Sequence, residues 1–195
     1  MAKTAIQTLA TPHGRSVEAV RQVALMVGAS LFVALCAHIT IPLMPLTPVP
    51  LTVQNLGVLL VGLLLGSRRG FAALALYLAE GVAGLPVFSL SALGLHGITQ
   101  LLGPTGGFLM AYPFVAFLAG FIFERGKQTF GRAAIAALLA EVLLFVGGLA
   151  WLYAFTHSLA KAAYFGFYFF IAAEIIKVMF AAAIASRWRR RSSEL

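Results

Sequence analysis

Six apolar runs, separated by short basic clusters and by proline- or glycine-rich turns, leave this chain few ways to fold. They lie at about 20–41, 51–66, 70–83, 108–124, 130–155 and 160–188. Roughly 20 apolar residues coiled as a helix match the hydrocarbon thickness of a bilayer. Inside that layer every backbone N–H and C=O must find its partner within the segment, which leaves helices or a closed barrel. The expected fold is therefore an all-α integral membrane protein, a six-transmembrane-helix bundle. Charged side chains make up 10% of the residues, far below the roughly 25% of a soluble domain. The second run is short and opens on Thr52, Gln54 and Asn55, and the third is broken by Gly81, Gly84 and Pro86. Such a short, interrupted pair is a pointer to a binding site in transporters. Tilted filler helices give the same pattern, so both readings stand at this point.

The basic residues set the orientation. Twelve of the fourteen Lys and Arg fall in four clusters: Lys3, Arg15 and Arg21; Arg68 and Arg69; Arg125, Lys127 and Arg132; Arg187, Arg189, Arg190 and Arg191. Alternate connections carry almost none. The positive-inside rule assigns the four clusters to the cytoplasm, with both termini cytoplasmic and the segments 42–50, 84–107 and 156–159 facing out. The chain then divides into a cytoplasmic N-terminal segment (1–19), a six-helix membrane domain (20–188) and a basic cytoplasmic tail (189–195). The first apolar run lacks a small-residue cleavage signature and is expected to be retained as a helix. No aromatic-interleaved basic domain accompanies the tail, so its charge is assigned to the lipid bilayer and not to nucleic acid.

Several chemistries drop out. There is no aspartate, and all six acids are glutamate, which removes aspartyl dyads and aspartate-rich phosphotransferase signatures. There is no GxxxxGK[ST] phosphate loop, no Gly-x-Ser-x-Gly elbow and no His-Glu-x-x-His helix. Cys36 is alone, and His13, His38, His96 and His157 have no zinc-ligand spacing. The expectation is a protein that is not an enzyme and holds no metal or cofactor.

What remains is polar chemistry inside the spans. Glu174 and Lys177 lie mid-way along the last apolar run, three residues apart and so on one helix face. Ionisable groups in a membrane usually face a partner, a cavity or a ligand. One reading is a self-neutralising ion pair that only fixes packing. The other is a polar end-wall for a small polar ligand, with Tyr164 to Phe170 supplying aromatic faces. Glu141, mid-way in the fifth run, has three open roles: a salt bridge to Lys177, a pocket lining, or a contact to a partner subunit. Glu80, near the outer end of the third run, is within reach of water. Ala24 and Gly28, and Ser30 and Ala34, recur at four-residue spacing in the first run, which permits close helix approach, either internally or against another membrane subunit.

Three blocks of sequence carry a family resemblance. They are Ile39-Thr40-Ile41-Pro42 followed by Thr47-Pro48-Val49-Pro50-Leu51-Thr52-Val53-Gln54 and the glycine-spaced helix to Gly66; Gly84-Leu85-Pro86-Val87-Phe88; and Gly103-Pro104-Thr105-Gly106-Gly107. In this order and spacing the chain resembles the BioY family, the biotin-binding S components of energy-coupling-factor (ECF) transporters, over about residues 20–185. The resemblance implies a six-helix bundle with a pocket open to the outside, biotin as substrate, and a prokaryotic cytoplasmic membrane location. It implies partners as well: an ECF transmembrane coupling protein and two ABC-type ATPase subunits, with Ala24, Gly28, Ser30 and Ala34 resembling the docking stripe. The implied substrate-binding residues are Glu174, Lys177, Gln54, Ser91, Phe88 and Tyr168. The last run departs from the family pattern Gly-x-x-Pro-Phe-x-x-Gly-Asp-x-x-Lys: Phe169 replaces the proline, Ala173 the second glycine and Glu174 the aspartate. A longer carboxylate on an unbroken helix is the expected consequence. The 89–102 loop also departs from the glycine-rich form and offers Ser89, Ser91 and His96. An S component for a different vitamin, or a structural membrane protein, is the alternative.

Overall fold

The computed structural model describes residues 12–91 and 93–193. Among the described residues eight α-helices form the bundle: α1 (Pro12–His38), α2 (Gln54–Leu65), α3 (Ser67–Val82), α4 (Ile98–Leu102), α5 (Gly106–Glu124), α6 (Phe130–Thr156), α7 (Leu159–Ala163) and α8 (Ile171–Ser193). A π-helical turn, Tyr164–Tyr168, joins α7 to α8. The proline-rich segment after α1 is non-helical, because proline offers no N–H to a helix ladder. Its ends are pinned by a minimal antiparallel ribbon, β1 (Thr40–Ile41) against β2 (Leu51–Thr52), with Thr40 opposite Thr52. Of the expected 1–19 segment, residues 1–11 lie outside the described residues and 12–19 already belong to α1; of the 189–195 tail, residues 189–193 continue α8 and 194–195 lie outside.

Among the described residues, α1, α5 and α6 are each long and apolar enough to cross a membrane, and the bent pair α7–α8 makes a fourth candidate. The second and third of the six expected spans fall short: α2 has 12 residues and α3 has 16, whereas a full crossing needs about 20.

α5 is the centre, packed on α2, α3 and α6. Backbones touch there because side chains are missing. A Cβ on Gly62 would run into the Ala116 carbonyl, and a Cβ on Gly120 into the backbone at Gly66 and Ser67. The α2–α3 turn is thereby pressed against α5. Gly66 holds a left-handed φ of 85°, which costs glycine little, and Glu124 accepts hydrogen bonds from Ser67 N (3.1 Å) and Ser67 Oγ (2.5 Å). The core around this contact is small and aliphatic, with Val58, Leu59, Leu63, Ala73, Ala116 and Ala119 all fully enclosed.

The last span is not the unbroken helix expected from Phe169. α7 with the π turn meets α8 at 47°. The cause lies outside the helix: Thr47 Oγ1, from the proline loop, donates to the Phe165 carbonyl at 2.6 Å. A carbonyl taken by an outside hydroxyl is lost to the regular ladder, and kinks of this size follow such insertions and π bulges. Glu80 is half-buried, and Ser30 Oγ donates to its carboxylate across α1 and α3.

Candidate functional site

The bend places Gly166, Phe170 and Glu174 on one wall of a cavity. The proline loop contributes Val49, Pro50 and, from β2, Thr52; the start of α2 contributes Gln54 and Asn55; α5 contributes Phe108, Leu109 and Tyr112; α6 contributes Phe145; and the 84–105 connection contributes Ser89 and Thr105. The cavity measures about 50 Å³, room for one or two waters. The 84–105 connection closes one side of it through Ser89 and Thr105; one hydrogen bond braces the connection internally and another ties it to α6. Gln100 Nε2 donates to the Ser89 carbonyl at 2.8 Å, and Trp151 Nε1 donates to the Gly103 carbonyl at 2.9 Å.

The polar atoms in the lining are oriented by Tyr77 and Lys177 from outside it and by one pair within it. Gln54 Nε2 donates to Tyr77 Oη (2.9 Å), and Tyr77 donates to the Val87 carbonyl (2.9 Å). This leaves Gln54 Oε1 without a hydrogen bond to a described residue. Tyr112 Oη donates to Asn55 Oδ1 at 2.8 Å, which leaves the Asn55 amide N–H groups as donors. Lys177 Nζ donates to Glu174 Oε1 at 2.8 Å, and the other oxygen of Glu174, Oε2, is buried with no partner. Gln54 and Glu174 thus offer acceptors, Asn55 a donor, and Phe108, Phe145 and Phe170 apolar faces.

The six residues expected at the site divide evenly. Glu174 and Gln54 line the cavity directly, and Lys177 stands behind Glu174 as its counter-ion. The other three lie elsewhere. Phe88 is buried, its ring 5.4 Å from Tyr77 edge-to-face and packed on Gly81. Ser91 lies outside the lining, its Oγ accepting from Leu93 N at 3.2 Å; its near neighbour Ser89 takes that place. Tyr168 is 67% exposed, on the outside of the π turn. Asn55 and Tyr112 were missed as site residues. The signal was present: Asn55 adjoins Gln54 in the otherwise apolar second run, and Tyr112 is the one hydroxyl in a run of alanine, leucine and phenylalanine.

Glu141 forms no side-chain hydrogen bond or ion pair with a described residue: both of its oxygens are buried without a partner. It lines a second groove between α6 and α8, of about 320 Å³, to which Glu174 also contributes and whose other lining side chains are apolar. Glu174 therefore separates the inner cavity from this outer groove. On α1 the four small residues do not share a face. Ser30 and Ala34 are buried, whereas Ala24 and Gly28 lie in an exposed shallow groove with Val20, Val23, Val27 and Leu31. A Cβ on Gly28 would meet nothing within 4 Å.

The model of the BioY family matches residues 5–194. The chain belongs to that family. It is 36% identical over 159 residues to a probable biotin transporter BioY of Pyrococcus horikoshii, covering 81% of this chain and 91% of the relative. It is 33% identical over 170 residues to the biotin transporter BioY of Thermotoga maritima, covering 87% and 98%. Among solved structures it is similar to the crystal structure of the S-component for biotin from an ECF-type ABC transporter. The TM-score is 0.78 at 27% identity, over 89% of this chain and 93% of the other. BioY membership agrees with the sequence resemblance and with a membrane transport protein.

Proposed function

We propose that this chain captures biotin for uptake across the membrane, with the cavity beside Glu174 as its binding site. The observation that carries the site is the unpartnered Oε2 of Glu174, held at the cavity wall by the ion pair to Lys177. A buried acceptor without a partner costs about 1–3 kcal/mol, and a ligand N–H removes that cost. The cyclic urea of biotin presents two N–H donors and one carbonyl. Glu174 Oε2 and Gln54 Oε1 match the donors, and an Asn55 amide N–H matches the carbonyl. Phe108, Phe145 and Phe170 suit the thioether ring and the aliphatic chain, and the hydroxyls of Thr52, Ser89 and Thr105 are further donors.

A cavity of about 50 Å³ is closed down relative to the roughly 300 Å³ or more of sites that hold organic ligands. Biotin enters when the 84–105 cover lifts, and Trp151–Gly103 is the tie that opens. The six spans are α1, α2, α3, α5, α6 and the bent α7–α8, with the short α2 and α3 completing their crossings through the flanking loops. Both termini lie in the cytoplasm of a prokaryotic cell. The chain has no phosphate loop, so energy comes from an ECF module, a transmembrane coupling protein with two ATPases. The exposed Ala24–Gly28 groove is its docking face. The inward-facing Ser30 and Ala34 pack α1 internally and are not part of that face.

Equilibrium binding of radiolabelled biotin to the purified chain tests the reading. Saturable binding displaced by unlabelled biotin, and not by thiamine or riboflavin, is the expected result. Displacement by either of the other vitamins at equal concentration would overturn the assignment.

A further inference from the structure

The opposite ends of α2 and α5 carry a second constellation that biotin capture does not use. The cavity sits at the start of both helices, at Gln54–Asn55 and Phe108–Tyr112. Where α2 ends, α3 begins and α5 ends, an open pocket is lined by Arg68, Arg69, Arg125 and Glu124. Three guanidinium groups face one carboxylate there. That carboxylate is held by the Ser67 N–H and hydroxyl, and none of the three arginines is in an ion pair with a described residue. Three arginines against one glutamate leave the pocket with a surplus of positive charge.

A ladder of aromatic rings leads away from it. Arg125 sits 3.5 Å over the Phe121 ring, Phe121 stacks on Phe117 at 5.5 Å, and Phe117 and Phe114 both meet Phe71 edge-on at 6.5 and 5.5 Å. Phe71, Phe114 and Phe117 are each more than a third exposed. With Arg68 they line an apolar groove of about 400 Å³, which shares Arg68 and Phe117 with the basic pocket. Cationic and apolar compartments are thus continuous through two common residues.

We propose that this is a binding site for one anionic phospholipid, its phosphate on Arg68, Arg69 and Arg125 and an acyl chain along Phe117, Phe71 and Phe114. The chemistry selects the occupant. A soluble anion would use only the basic pocket, and a neutral apolar molecule only the groove. A net-negative headgroup matches the surplus charge, whereas a zwitterionic one brings a cation of its own to the arginines. Basic pockets between helices at the membrane surface recognise lipid headgroups in this way, with about 1 kcal/mol per arginine or lysine.

The test is thermal unfolding of the purified full chain in detergent, titrated with dioleoyl phosphatidylglycerol, dioleoyl phosphatidylcholine or inorganic phosphate. Saturable stabilisation by phosphatidylglycerol alone is expected. The double variant Arg68→Gln/Arg69→Gln should raise the apparent dissociation constant about 25-fold, roughly fivefold for each arginine. Phe117→Ala should weaken the response as well, while Lys161→Gln, a cation on α7 beyond the far end of α6, should leave it intact. Arg125→Gln supplies the same readout should the double variant fail to fold. Equal stabilisation by phosphatidylcholine, a full shift with phosphate alone, loss of the response in Lys161→Gln, or a wild-type response in the arginine variants would each overturn the proposal.

Discussion

Glu174 and Glu141 are buried to the same degree on neighbouring helices, 4% and 3% exposed, and both border the α6–α8 groove, yet their polar surroundings differ. Glu174 has an ammonium on one oxygen and a cavity beside it. Glu141 has no ammonium and no place in that cavity: both of its oxygens are buried without a hydrogen-bond partner, and its side chain borders the outer groove. Burial alone therefore does not mark a functional acid. What distinguishes Glu174 is that one oxygen is fixed by Lys177 while the other is left over for something that is not protein. In the sequence the two residues looked alike, since each is a single glutamate in an apolar run. The i+3 lysine was the one local difference, and it was enough to select Glu174.

Lys177 gives the largest expected effect. Removing one partner of a buried pair strands the other charge, at a cost of about 3–5 kcal/mol. Lys177→Met should lower the thermal stability of the chain by that order, while the same test on Glu141, which has no ion-pair partner to strand, should show no such loss. An unchanged midpoint for Lys177→Met would mean that the pair is not formed in the membrane protein.

Binding separates the two acids next. Glu174→Gln removes a charged acceptor from the cavity wall and should weaken biotin binding by about 1.5–3 kcal/mol, roughly ten- to hundredfold. Glu141→Gln should leave affinity within about twofold, because no cavity atom belongs to it. Equal losses in the two variants would break the distinction and make Glu141 part of the site. In the opposite direction, Glu141→Leu replaces an unsatisfied buried carboxyl by hydrocarbon beside Val142 and Phe145. It should raise thermal stability by about 1–3 kcal/mol, read from the same unfolding curves. A loss of stability would show that Glu141 has a partner in the membrane.

The sequence made the helical, membrane-embedded fold readable because six runs of about 14 to 29 mostly apolar residues admit little else. It made Glu174, Lys177 and Gln54 readable because polar groups in such runs need a reason to be there. The even split of the other expectations has a common origin. Which face a residue takes depends on where the helix bends, and the bend before α8 comes from Thr47 reaching Phe165 across 118 residues. No local pattern in 160–188 contains that information, so Tyr168 was placed inward and lies outward. Ser30 and Ala34 were grouped with Ala24 and Gly28 because four-residue spacing does hold within each pair. The offset of two between the pairs turns them to different sides of α1, and only packing of α1 on α3 shows which side is covered.

The smallest expected effect tests the route into the cavity. If biotin arrives under the 84–105 cover, the hydrogen bond from Trp151 to the Gly103 carbonyl opposes entry, and its removal is worth about 1 kcal/mol. Trp151→Phe keeps a ring against Gly107 but has no donor, so the association rate should rise up to about fivefold. The apolar groove beside Glu141 is the other conceivable path, since Glu174 borders both spaces. Val142→Trp fills that groove on the far side of Phe145 and Glu174 from the cavity, and it should leave the association rate unchanged. Stopped-flow fluorescence of Trp188 and Trp151 is ambiguous in a variant that removes one of them, so the rates are better followed by rapid filtration with radiolabelled biotin. A slower rate in Val142→Trp together with no change in Trp151→Phe would move the entrance to the side of the bundle. Glu141, so far distinguished by having no role in binding, would then stand at the door.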